Sequence, residues 1–498
     1  MRDGKQLAVR LFGPDEAERP LPVIWTHYRY NAPTQNPAHL ERWLARYPQL
    51  LRGVSAAVST ARAEPPDILA LAPWLPAVVR AGYYAAVVDV RGTGASFGCW
   101  RGPFSPEEQG DAYEVTEWFA EQPWCDGNVG MFGRSYMGAN QYLAAAARPP
   151  HLRAIFPEMA PFDTYALVHG NGVFREDFAR AWSSDAHRRD SEDEPLAIDE
   201  DPGSRLLSAA RAQHARNADV FAVFRDARLR DSIDPSTGAP VYETFNVAAH
   251  WKRSAGMTIP VCHLVGWYDM HPVDGFLYLH NAHGPFRLVI GPWAHTGTLG
   301  IDLAQEHIRW YDAHLKRHDG VGASREITYC VMASDNAFEW RSGNQADFEA
   351  ATALELELVP ALCETGLVGG ALRPGGGEPE RAALAYQIDP DASSGIATRW
   401  TNGYGGPFGY GDMRANDALA VTFTSAPLAE PLEIRGFARI TLTVEAHDAP
   451  YLFVYLEDVH PDSWSQYITE GALALAHRAI GEAPYAIPDI PFHPGRAA

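Results

Sequence analysis

A serine stands among small residues in Gly133-Arg134-Ser135-Tyr136-Met137-Gly138. Residues 128–132 before it form an apolar, strand-like run. Residues 139–147 behind it are rich in helix formers and stop at Pro149-Pro150. A serine on a sharp strand-to-helix turn presents its hydroxyl above a sheet edge, and the tight backbone there calls for glycine. The helix that follows points its N-terminus at the site, where it favours a developing oxyanion, and the Tyr136 N–H comes one residue after the serine, where a donor to that oxyanion belongs. The chemistry implied is nucleophilic attack on an acyl carbon. The spacing departs from G-x-S-x-G, because Met137 takes the place of the second glycine and Gly138 follows one later. Taken alone, the pattern also fits an ordinary turn of an α/β protein.

A nucleophilic serine needs a base and an acid to orient it, in the chain order serine, acid, histidine for a nucleophile on this kind of turn. Asp269 ends Gly266-Trp267-Tyr268-Asp269, just past the apolar run 259–265. His295 ends Gly291-Pro292-Trp293-Ala294-His295, just past the run 286–290. Both fall beyond the carboxyl ends of strands, the edge at which open α/β sheets bind ligands. With nineteen histidines in the chain, one histidine alone carries little information. His263 lies inside a strand and reads as a core residue, while His271 and His283 read as surface or supporting residues. Asp274 is an alternative acid. Asp89 ends a strand but precedes the serine, and it reads as an ion-pair partner of Arg91 or Arg134.

The elements that must hold these residues alternate along the first third of the chain. Residues 23–26 and 83–90 are β-prone, and Arg91-Gly92-Thr93-Gly94 breaks the second run. Residues 106–122 read as an amphipathic helix. Strand and helix in alternation predict a parallel α/β sheet. Residues ~160–255 carry many charges and few strand signals; 204–223 and 224–231 read as helices of an insertion. The α/β pattern resumes at 259–265 and 286–290 and closes with a helix over 303–316. Beyond about Arg325, short runs at 327–331, 354–359, 420–424, 439–444 and 451–456, parted by Gly/Pro turns such as 373–377, predict an antiparallel β-sandwich.

The chain has 498 residues, too many for one core, so two or three domains are expected. A formal net charge of −21 argues against nucleic acid and anionic membrane surfaces as partners. The five cysteines, an odd number with no C-x-x-C pair, argue against a disulfide framework and a zinc knuckle. No basic start leads into an apolar stretch, and no apolar run approaches ~20 residues, so neither a signal peptide nor a membrane span is expected and the default location is cytoplasmic. Oligomeric state is not legible.

These residues resemble the X-Pro dipeptidyl-peptidase and cocaine-esterase-like family of serine hydrolases. The matching stretches, in order, are M-R-D-G at 1–4, D-V-R-G-T-G-A-S at 89–96, Q-P-W-C-D-G-N-V-G-M-F-G-R-S-Y-M-G at 122–138, G-W-Y-D at 266–269, G-P-W-A-H at 291–295 and L-E-D-V-H-P-D at 456–462. The resemblance implies an α/β-hydrolase domain over 1–155 and 258–324, a helical cap over 156–257, and a jelly-roll β-sandwich over 325–498. It places the triad on Ser135, Asp269 and His295, and the second oxyanion donor on the Tyr28 hydroxyl beside the Tyr136 N–H. The family usually has Pro before that tyrosine; here it is His27, which makes Tyr30 a rival.

The activity implied is hydrolysis of carboxylic esters, or amides, of small acyl compounds through an acyl-enzyme, with no metal or organic cofactor. Alternatives are an X-Pro dipeptidyl peptidase, an α-amino-acid ester hydrolase and a catalytically silent binding protein. Typical X-Pro peptidases are much longer and carry an extra N-terminal domain, which this sequence is not expected to have. Asp269 is followed by Met270-His271-Pro272 rather than by the carboxylate pair that holds a substrate ammonium in the amino-acid ester hydrolases. Family members run on for several strands past the equivalent of 471–478, and their first strand begins earlier, so an incomplete sandwich with an exposed edge is expected.

Overall fold

The computed structural model describes residues 1–14, 17–30, 68, 72–193, 195–235, 237–253, 257–295, 297, 298, 300–316, 325–333, 337–350, 352–362, 368–375, 383–393, 399, 412–446, 451–462 and 464–477. The segment 478–498, on which the expectation of an incomplete sandwich rests, lies outside them.

The apolar runs become strands β1 (Val9–Phe12), β2 (Leu21–Tyr28), β3 (Tyr84–Asp89), β4 (Cys125–Arg134) and β5 (Leu152–Glu158), a small hairpin β6 (His169–Gly170) and β7 (Val173–Phe174), then β8 (Val261–Gly266), β9 (Phe286–Gly291), β10 (Arg325–Met332) and β11 (Phe338–Asn344). Nine of these make one sheet in the order β1-β3-β2-β4-β5-β8-β9-β10-β11. Its interior pairs are parallel, and only β1 with β3 and β10 with β11 run antiparallel. Every residue of β2 and β8 is buried, as expected for strands covered on both faces.

Helices α1 (Leu75–Arg80), α2 (Pro106–Ala120) and α3 (Tyr136–Ala147) accompany the first half of the sheet. The Ser105 side chain accepts from the Glu108 N–H and Pro106 takes the first turn, so α2 starts as its sequence specifies. Arg148, left-handed at φ 56°, ends α3 ahead of the prolines.

The insertion is mostly helical: α4 (Thr164–Val168), α5 (Glu176–Ser191), α6 (Arg205–His214), α7 (Val220–Asp226), α8 (Val241–Thr244) and α9 (Val247–Arg253). The helix expected over 204–223 is two helices, and the one expected over 224–231 stops at Asp226. The break has a tertiary cause. Asn217 accepts from the Trp100 N–H at 2.7 Å and donates to the Gly92 carbonyl at 2.8 Å, which turns the chain toward the 92–100 loop before Asp219 caps α7.

Helix α10 (Val273–Asn281) follows β8, and α11 (Leu303–Tyr311) continues through a π-helical turn at Asp312–Lys316, spanning the helix expected over 303–316. Strand β10, expected in the sandwich, instead pairs with β9, Ile327 standing opposite Leu288, and β11 extends the same sheet. The main sheet therefore runs past residue 324 to Asn344. Ile327 and Cys330 are buried in it; an alternating run states only that it is a strand, and the open edge of β9 decides which sheet it joins.

Further on, β12 (Leu356–Leu362), β13 (Val368–Pro374) and β14 (Phe423–Ser425) form a three-stranded sheet, and β15 (Tyr451–Val459) with β16 (Ser465–Ala474) a hairpin. Residues 439–444 form no strand and pair with no described strand, contrary to expectation; Ile440, Leu442 and Val444 are exposed. The β16 hairpin touches the insertion, where Asn171 donates to the Ala472 carbonyl and accepts from the Ala474 N–H.

Candidate active site

Ser135 sits between β4 and α3 at φ 59°, ψ −121°, a conformation costly for any residue with a side chain. Two glycines make it possible. A side chain on Gly133, itself at φ 143°, would meet the Met137 Cβ at 2.5 Å, and one on Gly138 would meet the Glu158 carbonyl at 2.8 Å. The Ser135 N–H donates to that same carbonyl at 2.8 Å, pinning the turn to β5. Gly138, one place later than in G-x-S-x-G, is thus the glycine that lets α3 approach β5. Ser135 is half-buried, and the Tyr136 N–H is the first of α3, one of the amides a helix leaves without an internal partner.

Two laced loops bring Asp269 and His295 together. The Trp267 N–H donates to the Gly291 carbonyl at 2.9 Å and the Tyr268 N–H to the Trp293 carbonyl at 3.0 Å. A side chain on Gly266 would lie 2.0 Å from the Trp293 oxygen, so the glycine is needed for this approach. His295 Nδ1 then stands 2.8 Å from Asp269 Oδ1. A carboxylate only accepts, so in this contact it is Nδ1 that carries the proton. Asp269 is buried and its Oδ1 also accepts from the Met270 N–H at 2.7 Å. Among the described residues no hydrogen bond joins Ser135 to His295.

The other candidates are placed elsewhere. Asp274 lies in α10, where it accepts from the Phe162 N–H at 3.1 Å and faces His271 Nδ1 at 3.3 Å; burial raises its pKa. His263 is enclosed in β8 with Nδ1 2.9 Å from the Tyr142 hydroxyl, a core residue as expected. Asp89 does not pair with Arg91 or Arg134. It accepts from the Ala95 N–H and lies 3.9 Å from Arg10, while Arg91 is held by Asp111 and Asp3, and Arg134 by Glu158. Those carboxylates lie within reach on α2, the N-terminal segment and β5, whereas the Asp89 side chain is turned toward β1.

Tyr28 is the last residue of β2, enclosed, opposite Asp89 in the register with β3. The strand runs through His27 without a break. Tyr30 packs edge-on against Tyr28 at 6.3 Å and Tyr136 at 6.2 Å, and its hydroxyl accepts from Trp182 Nε1 at 2.9 Å. Trp182, from α5, also stacks on Tyr136 at 6.3 Å. An aromatic wall thus leads from the end of β2 to the residue beside Ser135.

Sequence reasoning did not foresee Trp182, nor two buried carboxylates, Glu108 and Asp190. Asp190 lies in a strongly charged helix and Glu108 in the acidic first turn of α2, patterns that ordinarily mark a solvated face. Glu108 is wholly enclosed, with both oxygens against the Tyr136 hydroxyl at 2.7 and 2.8 Å, and burial pushes its pKa up to about 7.

Comparison with known proteins agrees with this architecture. The profile of the X-Pro dipeptidyl-peptidase (S15 family) matches residues 3–297, and that of the X-Pro dipeptidyl-peptidase C-terminal non-catalytic domain matches 327–498. A putative serine esterase of Mycobacterium bovis is 29% identical over 97% of this chain and 81% of its own. The cocaine esterase of a Rhodococcus species is 27% identical over 96% of this chain and 82% of its own. Among solved structures, an alpha-amino acid ester hydrolase superposes with a TM-score of 0.63 at 18% identity, covering 96% of this chain and 81% of the other. A CocE/NonD family hydrolase from Staphylococcus aureus gives 0.52 at 20% identity, covering 72% and 57%. At such identities the structures speak for the fold alone, an α/β-hydrolase with a further C-terminal domain.

Proposed function

We propose that this chain, which belongs to the X-Pro dipeptidyl-peptidase (S15) family and is a serine hydrolase, cleaves small carboxylic esters through an acyl-enzyme on Ser135. The observation that carries the reading is the pairing of His295 with Asp269 at 2.8 Å at the sheet edge that also holds the strained Ser135 turn. In the proposed cycle His295 Nε2 takes the Ser135 proton as Oγ attacks the acyl carbon. The oxyanion is received by the Tyr136 N–H and the Tyr28 hydroxyl. His295 then protonates the leaving alcohol, and a water repeats the sequence on the acyl-enzyme. The Ser135–His295 contact closes in the substrate complex, since catalytic hydrogen bonds often tighten only there.

The half-buried rings of Tyr30 and Trp182, packed on the enclosed Tyr28 and Tyr136, support an apolar acyl or alcohol group as the part of the substrate that is recognised. The family's name keeps X-Pro peptides as the second reading. The segment after Asp269 weighs against it and against α-amino-acid esters. Met270, His271 and Pro272 provide no carboxylate there, and Asp274 is occupied by Phe162 and His271. The C-terminal strands are read as a jelly roll, and the place of action as the cytoplasm; among the described residues no helix is long and apolar enough to cross a membrane.

The test is a fluorophosphonate label followed by peptide mapping, with turnover of p-nitrophenyl acetate and butyrate measured beside an X-Pro anilide. Label on Ser135 and faster ester turnover are expected. Label elsewhere removes the active-site reading, and faster anilide turnover replaces the esterase with the peptidase.

A further inference from the structure

Glu108 has no part in the cycle just described, yet it lies directly behind one of its donors. The Tyr136 side chain is gripped at several points. Its ring stacks on Phe104 at 4.8 Å and meets Tyr30 edge-on, and its hydroxyl accepts from Trp100 Nε1 at 3.1 Å while donating to Glu108. The two Glu108 oxygens straddle that single hydroxyl at nearly equal distances, so it stays anchored whichever of them receives the proton.

A carboxylate enclosed with one side-chain hydrogen bond, the Ser105 backbone and the unbonded charge of Arg29 as its favourable partners is still an expensive element to bury. Its pKa of about 7, raised mainly by burial, expresses that cost. What the arrangement supplies is orientation. Glu108 lies in the first turn of α2 and Tyr136 begins α3, and their contact fixes the first turn of the helix after Ser135 against a second rigid element. An oxyanion donor is useful only if its N–H is aimed within about half an ångström of the developing charge. The Tyr136 hydroxyl is the far end of the same residue whose N–H does the aiming.

We propose that Glu108 is a positioning residue of the oxyanion hole, holding the Tyr136 backbone N–H in line through its hydrogen bond to the Tyr136 hydroxyl. The proposal rests on the reading of Ser135 and Tyr136 given above. Oriented donation needs an acceptor at this position and does not need a charge, which separates the role from a general electrostatic one.

Three full-length variants test it, with p-nitrophenyl butyrate as substrate and turnover expressed per site titrated by the fluorophosphonate. Glu108→Ala is expected to lower kcat per titrated site at least tenfold while KM changes less than threefold. Glu108→Gln, which keeps an acceptor of the same length, should restore kcat to within threefold of the wild type. Tyr136→Phe, which keeps the ring and the backbone donor but removes the anchor, should show the loss of Glu108→Ala; it carries the test should the alanine variant not fold. A lower melting temperature with kcat per titrated site within twofold of the wild type in both Glu108→Ala and Tyr136→Phe would mean a merely structural role and overturn the proposal. So would a loss in Glu108→Gln as large as that in Glu108→Ala. Absence of label on Ser135 in the wild type overturns the active-site reading and this proposal together, whereas intact labelling with unchanged turnover in the variants overturns this proposal alone.

Discussion

Arg29 and Asp190 meet through two parallel hydrogen bonds of 2.8 Å, with the guanidinium wholly enclosed and the carboxylate nearly so. Arg29 directly follows Tyr28 at the end of β2, and Asp190 belongs to the last turn of α5 in the helical insertion. The guanidinium lies 4.4 Å over the Trp100 ring, and Asn217 adds a 2.8 Å hydrogen bond to Asp190. Arg189 reaches the neighbouring Tyr30 carbonyl at 2.7 Å. The insertion is therefore fastened to the strand that ends in the proposed oxyanion tyrosine, and the fastening is a bidentate pair of the stronger kind.

The pair gives a stability prediction. Asp190→Ala leaves a buried guanidinium without its counter-charge and should destabilise the chain by about 3–5 kcal/mol. Asp190→Asn, which keeps one acceptor, should cost less. Urea unfolding followed by tryptophan fluorescence checks both, and a loss below about 1 kcal/mol for Asp190→Ala would show that the pair contributes little.

Loss of activity on removing the proposed nucleophile should be nearly complete. Ser135→Ala removes one oxygen from a turn held by its backbone, so the fold should survive while kcat falls by ~10⁴ or more. Circular dichroism and ester turnover together decide the matter; a variant with a tenth of wild-type activity would remove Ser135 from the mechanism.

The two tyrosines near the end of β2 should behave differently. Tyr28→Phe is expected to lower kcat by roughly 10²–10³ with a smaller change in KM, because the donor acts on the developing charge. The Tyr30 hydroxyl accepts from Trp182 Nε1, so Tyr30→Phe should act mainly through the acceptor that Trp182 loses and the packing around it, with kcat within about tenfold of wild type. The reverse ranking would move the donor to Tyr30.

Acid should weaken the fold. His27 and His263 are enclosed, and burial pushes both down to about 3. Neither ring nitrogen of His27 has a partner among the described residues. The unfolded chain takes up these protons near pH 6.5 and the native chain does not, so stability is full above that pH and is lost as pH falls toward 3. Each site contributes at most about 1.4 kcal/mol per pH unit. His169, His307 and His314, pushed down to about 4, act in the same direction. Glu108 and Glu457 oppose them. Both are raised to about 7, so between that pH and their ordinary value the native chain holds protons that the unfolded one lacks. Burial also raises Asp111 and Asp274, on the side of the glutamates, and lowers His214, on the side of the histidines; the histidines outweigh the carboxylates, and the urea midpoint should fall between pH 7 and pH 5. A midpoint that stays level or rises over that interval contradicts the assignment of these histidines as neutral and buried.

Much of this protein was legible before any contact was known, and for a local reason. A strained turn needs its glycines beside it in the chain, so Gly133 and Gly138 announce Ser135. Strands covered on both faces need continuous apolar runs, so β2, β3, β4, β8 and β9 stand out, and the loops after β8 and β9 offer an acid and a histidine at one sheet edge. What the tertiary structure alone decided involves partners far apart in sequence. Asp269 and Asp274 are five residues apart and chemically alike; the lacing of Trp267 and Tyr268 to the loop after β9 is what puts His295 against the first. The pattern of β10 says strand, but the free edge of β9 assigns it to the main sheet. The helix expected over 204–223 is broken by Asn217 reaching across to Gly92 and Trp100. Glu108 and Asp190 carry charges on helices and look solvated. Each is buried only because another element supplies its partner, Tyr136 for one and Arg29 for the other, and no periodicity along a single helix records which residue will lie opposite it.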